Sequence, residues 1–233
     1  LGDWSSDVCS SDLKVMANPD SYYLRTEVSN SDLTELKNYL YPRTQYGDKE
    51  KAFKFGTLVD ALITENERVH YSKRMVDDVT YSREDFELGL AMREALRKEA
   101  RKDEFLRAVL SNSDTQKFMV NKSQRFLYGN FEYTLDTRCK WDWWLPSFGF
   151  GGDLKTTFAE SQNQFNEAID FFDWDRSRAW YMDIAGSQQD FIYAISKKNL
   201  KIFKAFIRRD DDTYKRGKEK YDDLAFKWWQ LMV

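Results

Sequence analysis

Residues 131–157 read FEYTLDTRCKWDWWLPSFGFGGDLKTT, and the alternation of side chains along them decides the fold. On an extended chain successive side chains point to opposite faces. Phe131, Tyr133, Leu135, Cys139, Trp141 and Trp143 then share one face, and Glu132, Asp136, Arg138, Lys140 and Asp142 share the other. The stretch 145–149, Leu-Pro-Ser-Phe-Gly, carries turn chemistry, so a hairpin follows. In the strand after it Asp153 and Lys155 point one way, with Phe150 and Leu154 opposite. Folding the hairpin brings Asp142 close to Asp153 and Lys155. Two carboxylates a few ångströms apart repel, and a hard divalent cation with oxygen ligands removes that repulsion.

The order Asp142…Asp153-x-Lys155 on a hairpin resembles the active centre of the PD-(D/E)XK nuclease superfamily. The wording Asp153-Leu154-Lys155-Thr156-Thr157 is most similar to its RecE-like branch, the exodeoxyribonuclease VIII-type phage exonucleases. That resemblance implies an α/β fold of restriction-endonuclease type, a central mixed β-sheet of about five strands flanked by α-helices. It implies hydrolysis of DNA phosphodiester bonds with Mg²⁺ or Mn²⁺ as cofactor. Asp142, Asp153 and the Leu154 carbonyl would hold the ion, and Lys155 would orient the attacking water and stabilise charge on the phosphate.

Two positions depart from the branch. Where its Gly-x-x-x-His is expected, this chain has Gly56 followed by Asp60, so the resemblance makes Asp60 a third metal ligand. Where Gln-x-x-x-Tyr is expected, the chain has Ser177 and Tyr181, and the shorter hydroxyl of Ser177 reaches less far. Arg176 and Arg178, on either side of it, are then the candidate phosphate donors. The activity implied is exonucleolytic processing of double-stranded DNA ends for phage-type recombination. A single-strand annealing recombinase and further copies of the chain are the expected partners. The alternatives are an endonuclease or nickase of the same fold, and a DNA-binding relative whose site has decayed.

The rest of the chain bounds these readings. Residues 3–13 read as the translation of a short-read sequencing adapter, so 1–13 are set apart as an artefact and 14–233 are expected to form one domain. Three of the 39 acidic residues and none of the 36 basic ones lie in that opening stretch, so the remainder is charge-balanced. Balance argues against strong non-specific grip on phosphates by a monomer and suits an enzyme that encloses its substrate as an oligomer. Outside the opening stretch only Cys139 remains, which rules out an intrachain disulfide or a four-cysteine iron–sulfur cluster. With no long apolar run, a cytoplasmic setting without membrane contact is expected. His70 is the only histidine and is read as a surface residue, leaving no material for a histidine-based triad or zinc site.

Ser29 and Asp32 stand at capping-box spacing ahead of a helix to about residue 40. Helices are expected over 49–65, over 82–110 with a break near Lys102-Asp103, and over 160–171, 174–185 and 211–232. A strand over 117–128 should enter the Gly129-Asn130 turn, and 191–195 with 200–207 should form a second hairpin. Arg93, Arg97 and Arg101 recur every fourth residue beside Lys98 and Lys102. Because Glu94 and Glu99 interleave with them, a solvated, salt-bridged face is preferred to a phosphate track. Trp228 and Trp229 are read as packing on the domain rather than stacking on bases.

Overall fold

The computed structural model describes residues 24–42 and 48–232. The opening stretch read as adapter lies outside the described residues. Helices α1 (Asn30–Leu40) and α2 (Lys49–Thr64) lead to three two-residue strands, β1 (Val69–His70), β2 (Met75–Val76) and β3 (Val79–Thr80). Helices α3 (Arg83–Glu99) and α4 (Glu104–Asn112) follow, then strands β4 (Asp114–Tyr128), β5 (Phe131–Leu145) and β6 (Phe150–Thr157). Helices α5 (Gln162–Phe171) and α6 (Trp174–Ala185), strands β7 (Gln189–Ser196) and β8 (Ile202–Arg208), and α7 (Asp212–Met232) complete the order. The expected helices and long strands are all present. The small β1–β2–β3 sheet was not foreseen, because two-residue strands have no period to read.

Local chemistry sets the ends of the helices. Ser29 Oγ accepts from the Asp32 N–H and Asp32 accepts from the Ser29 N–H, the reciprocal box expected. Asp48, Ser82, Asp103 and Ser161 cap α2, α3, α4 and α5 with the one-way half of that motif, each side chain accepting from the N–H three residues on. Asp103 is thus the reason the long helical run of 82–110 divides where it does.

The large sheet has the order β4-β5-β6-β7-β8, antiparallel except for the parallel pair β6–β7. The crossover through α5 and α6 is what permits that parallel pair. Helices cover both faces. Phe55 and Val59 of α2, Met92 and Leu96 of α3, and Leu106 and Val109 of α4 pack on Leu154, Phe191, Tyr193 and Ile195. On the other face α1, α5, α6 and α7 pack on Leu135, Cys139, Trp141, Ile192 and Ala194. Strand β7, buried on both faces from Asp190 to Ser196, is the centre of the three layers. This is the mixed α/β architecture that the hairpin reading pointed to. Trp228 and Trp229 pack against the core as expected, with Trp229 5.1 Å from Phe131 and 5.5 Å from Tyr133 between ring centroids.

One expectation fails at the point that matters most. Trp141 and Trp143 do not share a face: Trp141 joins the α6 side, whereas Trp143 packs on Phe191 and Tyr193 on the α2–α4 side. Trp144, the next residue, is back against Trp141 at 5.2 Å. The phase of β5 therefore slips at Asp142. The β4–β5 ladder pairs Thr115 with Trp143 and Lys117 with Trp141, with no pair between Gln116 and Asp142. Gln116 takes a left-handed backbone (φ 53°), which costs on the order of 1 kcal/mol for a residue with a side chain. The register is the same on both sides of that gap, so the change of face is a local twist of the two strands; the ladder's one shift of register lies further along, between Asn121 and Gln124.

Candidate active site

Strands β5 and β6 pair at only three positions, Trp143–Gly152, Trp144–Gly151 and Leu145–Phe150, and then part. Glycine is needed there because the neighbours come so close. A methyl on Gly152 would lie 2.1 Å from the Phe191 ring, and one on Gly151 would lie 2.4 Å from the Trp143 carbonyl oxygen. Beyond the last pair the backbone groups of both strands need other partners. The Leu154 N–H donates to Asp142 Oδ2 at 2.7 Å, so a side chain replaces the next ladder bond. Further along, Val28 bridges β5: its N–H donates to the Asp136 carbonyl and its carbonyl accepts from the Arg138 N–H, each at 2.8 Å. The opening between strands is thus closed at one end by the turn, at the other by Val28, with Asp142 between.

Asp153 and Lys155 stand on the α6 side of β6, and their side chains form an ion pair. Asp153 is 5% exposed, while the Lys155 side chain still reaches solvent at 28%. Asp142 and Asp153 lie close enough for the charge of each to act on the other. Burial, then repulsion from Asp153 and Asp60, pushes Asp142 well above the usual carboxylate range. Burial also pushes Asp153 up, but Arg178 and Lys155 outweigh it and hold that group below its ordinary value.

Arg178 is what holds Asp153 in its charged form. It is 1% exposed, lies 3.2 Å from Asp153 Oδ1 and 3.7 Å from Asp190 Oδ2, and stacks 4.0 Å above the Tyr181 ring and 5.6 Å from Trp141. Asp190, with no exposure, is itself pushed well up by burial despite Arg178. Neither Arg178 nor Arg176 is presented to solvent as a surface phosphate donor. Arg176, 2% exposed, donates to Asn30 Oδ1 at 3.0 Å and Thr34 Oγ1 at 2.5 Å and pairs with Asp173 at 3.6 Å, tying α6 to α1. The Ser177 hydroxyl donates to the Trp174 carbonyl at 2.9 Å and accepts from Arg178 at 3.3 Å. Tyr181, partly buried, meets Trp141 edge-on at 5.3 Å.

Asp60 lies near enough to raise Asp142, yet its oxygens are already engaged. Thr64 Oγ1 donates to Oδ1 at 2.9 Å and Gln116 Nε2 to Oδ2 at 3.1 Å. Burial and the charges of Glu65 and Asp153 bring its carboxyl up to about 6, against the help of Thr64. The left-handed Gln116 thus serves two ends, breaking the ladder at Asp142 and fastening Asp60. Among the described residues no group of three or more His, Cys, Asp or Glu side chains is arranged to hold a metal ion. His70 is exposed on β1.

The donors present do fit a hard cation of lower protein coordination. Asp142 and Asp153 supply the carboxylates, and repulsion from Asp153 is one cause of the raised Asp142. In a strand the N–H and C=O of one residue face the same neighbour, so the Leu154 carbonyl also faces the β5 side. Two carboxylates and a carbonyl suit Mg²⁺, which keeps several waters and takes substrate phosphate oxygens rather than a full protein cage. Sequence reasoning found the carboxylates and the lysine. It missed Asp190 and Gln116, whose parts depend on β7 and β4 lying alongside, and it offered no sign of Arg178 facing inward.

No family model and no curated protein matches this chain. Among solved structures, SSO0001 aligns over 86% of this chain and 85% of that one, at 11% identity and a TM-score of 0.36. A phage-related exonuclease from Haemophilus somnus 129PT aligns over 88% of this chain and 83% of that one, at 12% identity and a TM-score of 0.39. Likeness at that level assigns no role to any residue. No helix among the described residues is long and apolar enough to cross a membrane.

Proposed function

We propose that this chain is a metal-dependent deoxyribonuclease of PD-(D/E)XK type, an exonuclease acting on double-stranded DNA ends. The observation that carries the reading is Asp142 held on the Leu154 N–H, next to the Asp153–Lys155 ion pair, in the opening where β5 leaves β6. In this reading Asp142, Asp153 and the Leu154 carbonyl hold Mg²⁺ or Mn²⁺. The ion, when bound, supplies Lewis-acid charge for the scissile phosphate and for the attacking water. The Lys155 ammonium, fixed on Asp153 and open to solvent, orients that water and meets negative charge as it grows on the phosphate. Arg178 supports the centre from behind, keeping Asp153 ionised, and Tyr181 and Trp141 keep water from Arg178. Asp60 enters only if Gln116 releases it.

The test is digestion of end-labelled linear duplex with and without Mg²⁺. Lys155→Ala and Asp153→Asn should each lower the rate by about a hundredfold or more. A closed circle left intact supports exonuclease action, and a nicked circle points to an endonuclease. A wild-type rate no higher than that of the two variants removes the enzyme reading. A second reading, a DNA-binding protein without catalysis, is favoured by the engagement of Asp60 with Thr64 and Gln116 and the lack of a three-acid metal group among the described residues. DNA binding without Mg²⁺-dependent cleavage would decide for it. A recombinase partner and self-association belong to the same proposal and are tested by co-elution with each.

A further inference from the structure

The outer face of α3 and α4 holds a groove of about 370 Å³ lined by Arg97, Arg101 and Arg107 with Ala100, Leu110 and Ser111. The salt-bridged face expected from the interleaved glutamates does not form there. Among the described residues no acidic group lies within salt-bridge reach of Arg97 or Arg101, and Arg107 has only an exposed contact with Glu104 at 3.5 Å. Lys98 and Lys102, exposed beside them, are likewise without an acidic partner. Like charges one helical turn apart destabilise an isolated helix by a few tenths of a kcal/mol. Here a third arginine from a second helix adds to that repulsion. Arg93, the first of the regular series, is by contrast spent on Tyr71, whose hydroxyl it meets at 2.5 Å.

We propose that this groove binds the phosphate backbone of a nucleic-acid strand outside the candidate active site, with the three guanidiniums as phosphate donors and Ala100 and Leu110 as an apolar floor for sugar. The proposal rests on the nucleic-acid part of the reading above. Ser111 is three residues before Asp114, whose ladder partner Trp144 is two residues past Asp142. Summing extended spacings puts the groove within about 25 Å of Asp142, some seven nucleotides of one strand at about 3.4 Å each. With no basic surplus in the chain, any phosphate grip is left to such local clusters. Arginine forks suit phosphate better than a scattered peptide carboxylate chain.

The test is fluorescence anisotropy of labelled duplex and single-stranded oligonucleotides with the full chain in EDTA, so that no cleavage occurs. The triple variant Arg97→Gln, Arg101→Gln, Arg107→Gln should bind roughly ten- to a hundredfold more weakly at about 100 mM salt. The slope of log affinity against log salt should fall by about two to three. The Arg→Lys triple variant keeps the charge and should retain most of the binding and nearly the wild-type slope, which separates charge from folding. Unchanged affinity and slope in the Gln variant overturns the proposal, as does capture of polyglutamate in preference to either oligonucleotide. If the Gln variant loses binding but wild type never cuts DNA, the groove stands and the nuclease reading falls. If wild type and Gln variant bind and cut alike, the nuclease reading stands and the groove falls.

Discussion

Strand β6 has two unlike neighbours. Toward β7 it is paired at seven successive positions, Gly151 to Thr157, and the strand it meets is buried on both faces. Toward β5 it is paired at three, and then a carboxylate takes the place of the backbone. The closed side is apolar and over-determined, and the open side is polar and carries charges that repel. The difference teaches why the site is where it is. Asp153 and Lys155 are fixed by the ladder on one side and face an opening on the other. Such a place can keep two carboxylates close, because the cost is borne by packing elsewhere.

The comparison breaks most severely at the group that joins the two sides. Arg178 neutralises Asp153 of the open side and Asp190 of the closed strand. Arg178→Ala leaves Asp190 buried without a counter-charge and Asp153 with Lys155 alone, and should cost about 3–5 kcal/mol in denaturant unfolding. A loss under about 1 kcal/mol would mean that water reaches this pocket and that the two sides are not coupled.

Asp60 tests the open side through pH. Its carboxyl is raised from 3.8 to about 6 in the folded protein, so the fold binds the proton more tightly than the unfolded chain does. The stability this provides is fully present below about pH 4 and is lost as pH rises through about 6, on the order of 3 kcal/mol. Asp60→Asn should remove that slope from thermal melts taken in EDTA between pH 4 and 7. A slope equal to that of wild type would place its origin elsewhere.

The smallest effect sharpens the contrast by its sign. Asp142→Asn keeps an acceptor for the Leu154 N–H while removing the repulsion from Asp153. It should stabilise the metal-free protein at pH 8 by about 1 kcal/mol, a rise of about 2–4 °C in melting temperature. Destabilisation of that size would show that the carboxylate is held at no cost.

Much of this was legible. Capping residues such as Ser29 and Asp103 act within four residues, and the helix and strand periods are local, so elements and boundaries followed from the chain. The hairpin reading also brought Asp142 to Asp153, since a turn and an alternating strand suffice for that. What could not be read depends on partners far along the chain. The face change between Trp141 and Trp143 lies opposite the left-handed Gln116 of β4, far along the chain, and nothing in residues 131–145 announces it. The arginines flanking Ser177 look like surface donors in sequence. They turn inward because Asp153, Asp190, Asn30 and Thr34 are waiting there.

The measurement that bears most directly on the closeness of Asp142 and Asp153 is a thermal melt of the full chain titrated with Mn²⁺, needing no DNA and no turnover. A cation held by these two carboxylates predicts a melting temperature that climbs with Mn²⁺, by about 5–10 °C at a hundredfold excess over its dissociation constant. The double variant Asp142→Asn, Asp153→Asn should then melt at one temperature at every Mn²⁺ concentration. A wild-type melt indifferent to Mn²⁺, or an equal climb in the double variant, would contradict the account.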